Sequence, residues 1–169
     1  DALIHSIGAD QDKDYVEAVK TIQMRPDMDK TIKIVFTSQH GTAYPIVPDL
    51  LQSQGYQVIL VEEQASFSPD FENTKTPNPE EKASFELAME YAHKHDADLV
   101  LSCDPDADRM GIVVKHKDDY VYLTGNQGGS ILQEYIYASH TELNTMPENP
   151  MMFNTVVTSD LGEKIAHKY

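Results

Sequence analysis

The stretch Leu99-Val100-Leu101-Ser102-Cys103-Asp104-Pro105-Asp106-Ala107-Asp108-Arg109 is an apolar run that stops at three aspartates spaced two apart, with an arginine directly after them. A short apolar run bounded by turn residues reads as a buried strand. In the extended or gently curved loop after it, side chains two apart point the same way, so Asp104, Asp106 and Asp108 can converge on one point. Three ionised carboxylates at one point repel one another unless a cation sits between them. A hard, all-oxygen ligand set suits Mg²⁺ or Ca²⁺ rather than Zn²⁺ or Cu²⁺. Arg109 adds a planar, permanently charged fork suited to a phosphate or carboxylate. The stretch therefore reads as a metal-and-phosphate site at a strand end.

Outward from it, strands and helices alternate. Asp98–Cys103 is the strand itself, and upstream of it Thr31–Thr37 and Gln57–Val61 are β-rich runs. A helix over Asp10–Ile22 has Tyr15, Val16, Val19 and Ile22 on one stripe, and another over Ala43–Gln54 turns Ile46, Val47, Leu50 and Leu51 inward, with Gly55 as its C′ residue. Glu62–Pro77 is a long loop. Asn78 as N-cap, Pro79 at N1 and Glu81 at N3 predict a helix start, with Phe85, Ala88, Met89 and Ala92 as the buried stripe. Gly111–Lys115 and Tyr120–Leu123 read as a hairpin. A helix from Gly125 with Ile131, Leu132, Tyr135 and Ile136 inward, a strand at Met152–Thr158 and a helix from Ser159 complete the pattern. The expected fold is α/β: a layered α/β/α domain with a mixed sheet over 1–123, followed over 124–169 by the beginning of a second similar α/β domain. In such sheets ligands sit at the carboxyl ends of the strands, where the aspartate loop and His40-Gly41 both lie.

Composition bounds the partners. The chain has 169 residues and a formal charge of −15, which argues against nucleic acid and against an anionic membrane surface. A small anionic substrate would need local positive charge from a metal or an arginine. The single cysteine excludes an intrachain disulfide framework and fits a reducing, cytoplasmic setting. No apolar run approaches bilayer length. The chain begins at Asp1 without a methionine and stops at Tyr169 inside a predicted helix, as a trimmed protein or a piece of a longer one would.

With 28 acidic residues in the chain, an alternating run of aspartates also arises by chance as a solvated turn. An EF-hand starting at Asp104 needs glycine sixth and glutamate twelfth; Arg109 and Lys115 stand there, so that reading fails. An aspartyl-phosphate phosphatase, with Asp104 as nucleophile, would have a small hydroxyl or β-branched residue where Asp108 stands. A non-catalytic α/β module that uses the loop to hold Mg²⁺ or Ca²⁺ is the third possibility.

Asp104-Pro105-Asp106-Ala107-Asp108-Arg109 resembles the metal-binding loop of the α-D-phosphohexomutases, the phosphoglucomutase and phosphomannomutase enzymes. His40-Gly41, Pro69-Asp70-Phe71, Pro77-Asn78-Pro79-Glu80-Glu81, Ala97-Asp98-Leu99 and Leu123-Thr124-Gly125-Asn126-Gln127 fall in the family's order around it. The resemblance covers roughly Asp10 to the chain end. It implies the second of four domains plus the start of the third. Such enzymes pass a phosphoryl group from a phosphoserine to a sugar phosphate and return the other phosphate through a bound bisphosphate. By resemblance, Asp104, Asp106 and Asp108 hold Mg²⁺ together with an oxygen of the phosphoserine, and Arg109, the catalytic residue of this chain, helps hold the transferring phosphate. The substrate implied is a hexose phosphate of the glucose type, and the partners are the remaining domains of the same enzyme. Nothing here matches the family's serine stretch, its sugar-selecting loop or its fourth-domain phosphate loop. The chain alone is therefore expected not to turn over a sugar phosphate.

Other residues have plainer expectations. His40 reads as a loop histidine capping the following helix, with a place near the cleft as the alternative. Cys103 reads as a small buried strand-end residue whose thiol nearby carboxylates raise. His93 and His95 do not share a helix face and are no metal pair. Lys115-His116-Lys117 is a solvated hairpin turn, Asn126 and Gln127 belong to a helix cap, and Asp98 to the strand edge.

Overall fold

The computed structural model describes residues 3–5 and 7–169. Its strands are β1 (Lys33–Thr37), β2 (Gln57–Leu60), β3 (Leu99–Cys103), β4 (Met110–His116) and β5 (Asp119–Leu123); its helices are α1 (Ala9–Lys20), α2 (Ile46–Ser53), α3 (Glu86–His95), α4 (Gly125–Leu143) and α5 (Leu161–Ala166). The five strands form one sheet in the order β2-β1-β3-β4-β5. β1 is parallel to both β2 and β3, while β4 runs antiparallel to β3 and β5 antiparallel to β4. The sheet is mixed, as expected.

The connections set the layers. The chain crosses from β1 to β2 in one direction through α2 and returns past β1 to β3 through α3. Because such crossovers are right-handed, the two helices fall on opposite faces. On the α3 face Val35, Val100 and Val113 pack with Phe85, Ala88, Met89 and Ala92 into one buried cluster. The predicted stripe of that helix is thus the core. α4 packs on β4 and β5, where Gly128 lies over Ile112 on the face opposite Val113. Reversal of strand order between β1 and β3 makes their carboxyl ends the switch point of the sheet, where α/β folds place ligands.

Several local expectations give way to long-range packing. Asn78 caps no helix: its side chain closes a turn by accepting from the Glu80 N–H at 3.1 Å, and α3 begins only after a 3₁₀ turn over Lys82–Phe85. The helix predicted from Ala43 begins at Ile46, because the chain leaving β1 first turns through Ser38–Tyr44 to meet the aspartate loop. Its end is as expected, with Gly55 left-handed at φ +96°. Along α1 no residue is buried; Val16 and Val19 are half-covered while Tyr15 and Ile22 face solvent, since α1 leans lightly on α2. On α4, Ile131, Leu132 and Ile136 are exposed and only Tyr135 of the predicted stripe is partly covered, by the Arg25 guanidinium over its ring. Met152–Thr158 forms no strand, because no neighbouring strand supplies ladder partners. The hairpin turns through Lys117-Asp118, and Asp98, at the entry to the central strand β3, accepts from the Lys33 N–H at 2.8 Å. Among the described residues no helix is long and apolar enough to cross a membrane.

Candidate metal and phosphate site

β3 delivers Asp104 as the first residue beyond the strand, and the loop turns back into β4 by Arg109. The Ala107 N–H donates to the Asp104 carbonyl at 3.0 Å, and Ala107 adopts a left-handed φ of 60°. That conformation costs an alanine roughly 1 kcal/mol, offset by closure of the turn. In this geometry oxygens of Asp104, Asp106 and Asp108 all lie within 4.8 Å of one another. The convergence expected from two-residue spacing is what the turn produces.

The three carboxylates are not equivalent. Asp104 is 0 % exposed, whereas Asp106 and Asp108 face solvent. Asp104 Oδ1 accepts from the Arg109 backbone N–H at 2.9 Å, and Oδ2 from Arg109 Nε at 2.7 Å. Burial alone would raise the Asp104 carboxyl, but these donations from Arg109 outweigh it and hold it below the ordinary range. Asp108 is displaced upward, first by its hydrogen bond to Asp104 and then by the Asp106 charge. A divalent ion between the carboxylates would relieve this repulsion. The donor set is all-oxygen, charge-dense and open on one side, which fits a hard cation that keeps water or substrate ligands. Each Asp104 oxygen retains a second lone pair for such an ion. A nucleophilic Asp104 fits poorly, since its carboxylate is sealed from solvent and bound at both oxygens.

Arg109 bridges the loop to a second segment. Its Nη1 donates to Asn78 Oδ1 at 3.1 Å, and its Nε also lies 3.5 Å from Asp108 Oδ1. Ion pairing and hydrogen bonding to Asp104 keep the guanidinium fully charged. The side chain remains 47 % exposed, lining a cleft of about 500 Å³ with Pro79, Lys82, Phe85 and Tyr122. The approach of Asn78 was hidden from the sequence by its resemblance to a helix cap.

The end of β1 forms the floor. The Thr42 N–H donates to the Pro105 carbonyl at 2.8 Å, and a Cβ on Gly41 would collide with the Pro105 backbone, so glycine alone permits this approach. His40 neither caps α2 nor faces the cleft. Its ring nitrogens meet the carbonyls of Ser66 and Glu72, fastening the long loop to β1. Gln64 completes this fastening: it accepts from the Thr37 hydroxyl at 2.6 Å and donates to the Asn73 carbonyl at 2.7 Å. Cys103 is a half-covered strand-end thiol, and burial, then the Asp104 charge, push it up to about 11. His93 stacks edge-on to Tyr120 and His95 leans on Tyr91, so they form no pair. Gln127 shares a capping box with Thr124, while Asn126 Oδ1 receives the Ser159 N–H at 2.9 Å.

The chain is 37% identical over 172 residues to a phosphomannomutase of Mycoplasmoides pirum, covering 100% of this chain and 31% of that protein. It is 36% identical over 140 residues to a phosphoglucomutase of Staphylococcus haemolyticus, covering 82% of this chain and 25% of the relative. The chain thus spans about a third or less of the curated relatives it matches. The fold superposes on a phosphoglucomutase/phosphomannomutase family protein of Burkholderia thailandensis with a TM-score of 0.61 at 21% identity, over 75% of this chain and 26% of that one. Residues 13–117 match the family described as phosphoglucomutase/phosphomannomutase, alpha/beta/alpha domain II, and the chain belongs to that family.

Proposed function

We propose that this chain is the metal-carrying part of a longer phosphohexomutase that interconverts sugar 1-phosphate and 6-phosphate through a phosphoserine and a bisphosphate. The supporting observation is the convergence of Asp104, Asp106 and Asp108 within 4.8 Å at the sheet's switch point, with Arg109 hydrogen-bonded into the same cluster. Asp104, Asp106 and Asp108 would hold Mg²⁺, which when bound supplies positive charge against the phosphoryl group in transit. Arg109 presents its free guanidinium edge to the phosphate oxygens, and Asp104 holds that guanidinium by Nε. Buried Asp104 anchors the loop, while exposed Asp106 and Asp108 meet the solvent side. The names of the relatives suggest glucose or mannose phosphates as substrates.

Residues 1–123 form the metal-binding unit in this reading, and 124–169 open a second α/β unit. The exposed Ile131, Leu132 and Ile136 and the unpaired Met152–Thr158 run are apolar surfaces that such a unit would cover. The catalytic serine lies on another domain of the same enzyme, in a cytoplasmic setting consistent with the free Cys103 thiol. The test is an assay of the full-length protein with glucose 1-phosphate and mannose 1-phosphate, with Mg²⁺ present or chelated. Turnover is expected to vanish on chelation and to fall at least about 100-fold in Asp106→Ala. Full turnover in both cases would overturn the reading.

A further inference from the structure

Asn78 is enclosed by Pro77 and Pro79, and a residue before proline is held out of the helical region. The following turn is closed by the Glu81 N–H donating to the Asn78 carbonyl at 3.0 Å. Within this frame every polar atom of the Asn78 side chain is used. Nδ2 donates to Glu81 Oε1 at 3.2 Å, and Oδ1 accepts from both the Glu80 N–H and Arg109 Nη1 at 3.1 Å. The amide is therefore oriented before Arg109 reaches it, with its oxygen toward the guanidinium.

That bond does something the Asp104 contact cannot. A single hydrogen bond at Nε leaves the planar guanidinium able to rock about that bond's axis and to exchange Nη1 with Nη2 by the slow flip about the partially double Nε–Cζ bond; a second at Nη1, from a different segment, opposes both. With Nε on Asp104 and Nη1 on Asn78, the Nη2 edge is left for another acceptor. We propose that Asn78 is a positioning residue of this site: it fixes the plane of Arg109 so that its Nη2 edge presents a preformed fork to a phosphate. The inference rests on the anion-holding role given to Arg109 above. It also gives the Pro77-Asn78-Pro79 motif a purpose beyond its own turn.

The test is NMR of this chain, with inorganic phosphate as the probe and Mg²⁺ saturating. Three quantities are read: rotation about the Arg109 Nε–Cζ bond, the phosphate midpoint at the Arg109 Nε–H signal, and the Mg²⁺ midpoint. Asn78→Ser keeps a hydroxyl that can close the turn onto the Glu80 N–H but falls short of Arg109. It is expected to free the rotation and weaken phosphate about threefold to tenfold, the worth of one hydrogen bond, with the Mg²⁺ midpoint unchanged within twofold. Asn78→Asp keeps an acceptor in place and is expected to restore slow rotation. Unchanged phosphate affinity in Asn78→Ser, or rotation in Asn78→Asp as fast as in Asn78→Ser, overturns the positioning role. Absence of any phosphate response at Arg109 in the unsubstituted chain instead overturns the anion-holding role itself, and this inference with it.

Discussion

The Thr42 N–H donates to the Pro105 carbonyl at 2.8 Å, so the end of β1 and the aspartate loop behave as one piece although 63 residues separate them. Neighbouring Gly41 makes this contact possible by bringing no side chain to the Pro105 backbone. The carboxylates are therefore placed by two strand ends at once.

Gly41→Ala should accordingly destabilise the chain by about 2 kcal/mol or more, as overpacking against backbone does, and weaken divalent-metal binding with it. Gly129→Ala is the matched control. Gly129 is exposed within α4 and a Cβ there meets nothing within 4 Å, so alanine should stabilise by about 0.5–1 kcal/mol. Urea unfolding of both variants checks the pair; equal effects would show that the Gly41 approach is not constraining.

Gln64→Leu removes the hub that ties the long loop to β1. Thr37 loses its acceptor, and the Asn73 carbonyl loses a donor. Leaving such groups unpaired costs about 1–3 kcal/mol each, so a total loss near 3 kcal/mol is expected, with faster proteolytic cleavage between residues 65 and 77. Stability within 1 kcal/mol of the parent, and unchanged cleavage, would mean that His40 suffices alone.

The Cys103 thiol sits at about 11 where an ordinary one is at 9.0. A raised thiol keeps its proton as pH climbs, so alkylation by iodoacetamide at pH 7.5 should run roughly 100-fold slower than in the urea-unfolded chain, since only the thiolate reacts. The rate should reach half its maximum near pH 11 rather than 9. Equal rates in folded and unfolded chains would contradict the burial assigned to this strand end.

What the sequence made legible was what nearby residues decide. The run at Leu99–Cys103 and the stripe of Phe85, Ala88, Met89 and Ala92 carry their own period, and both entered the core. The spacing of Asp104, Asp106 and Asp108 likewise contains its convergence, because one turn builds it. Asn78 shows the opposite case. Asparagine, proline and glutamate in that order satisfy a helix-cap template, yet Arg109, 31 positions away, and the Glu80 N–H claim the side chain. His40 is similar, since the carbonyls of Ser66 and Glu72 come from a loop whose path no local pattern specifies. Val156 and Val157 are β-formers left exposed, because strand structure needs a partner as well as propensity.

The central claim is that these three aspartates hold a divalent cation, and a Mg²⁺ titration of this chain beside Asp106→Ala, followed by calorimetry or by backbone NMR of residues 104–109, tests it most directly. The account predicts weak but saturable binding in the parent, because the proposed function draws part of the coordination sphere from outside this chain, and a loss of at least tenfold in the variant with the fold intact. Indistinguishable titrations would contradict it.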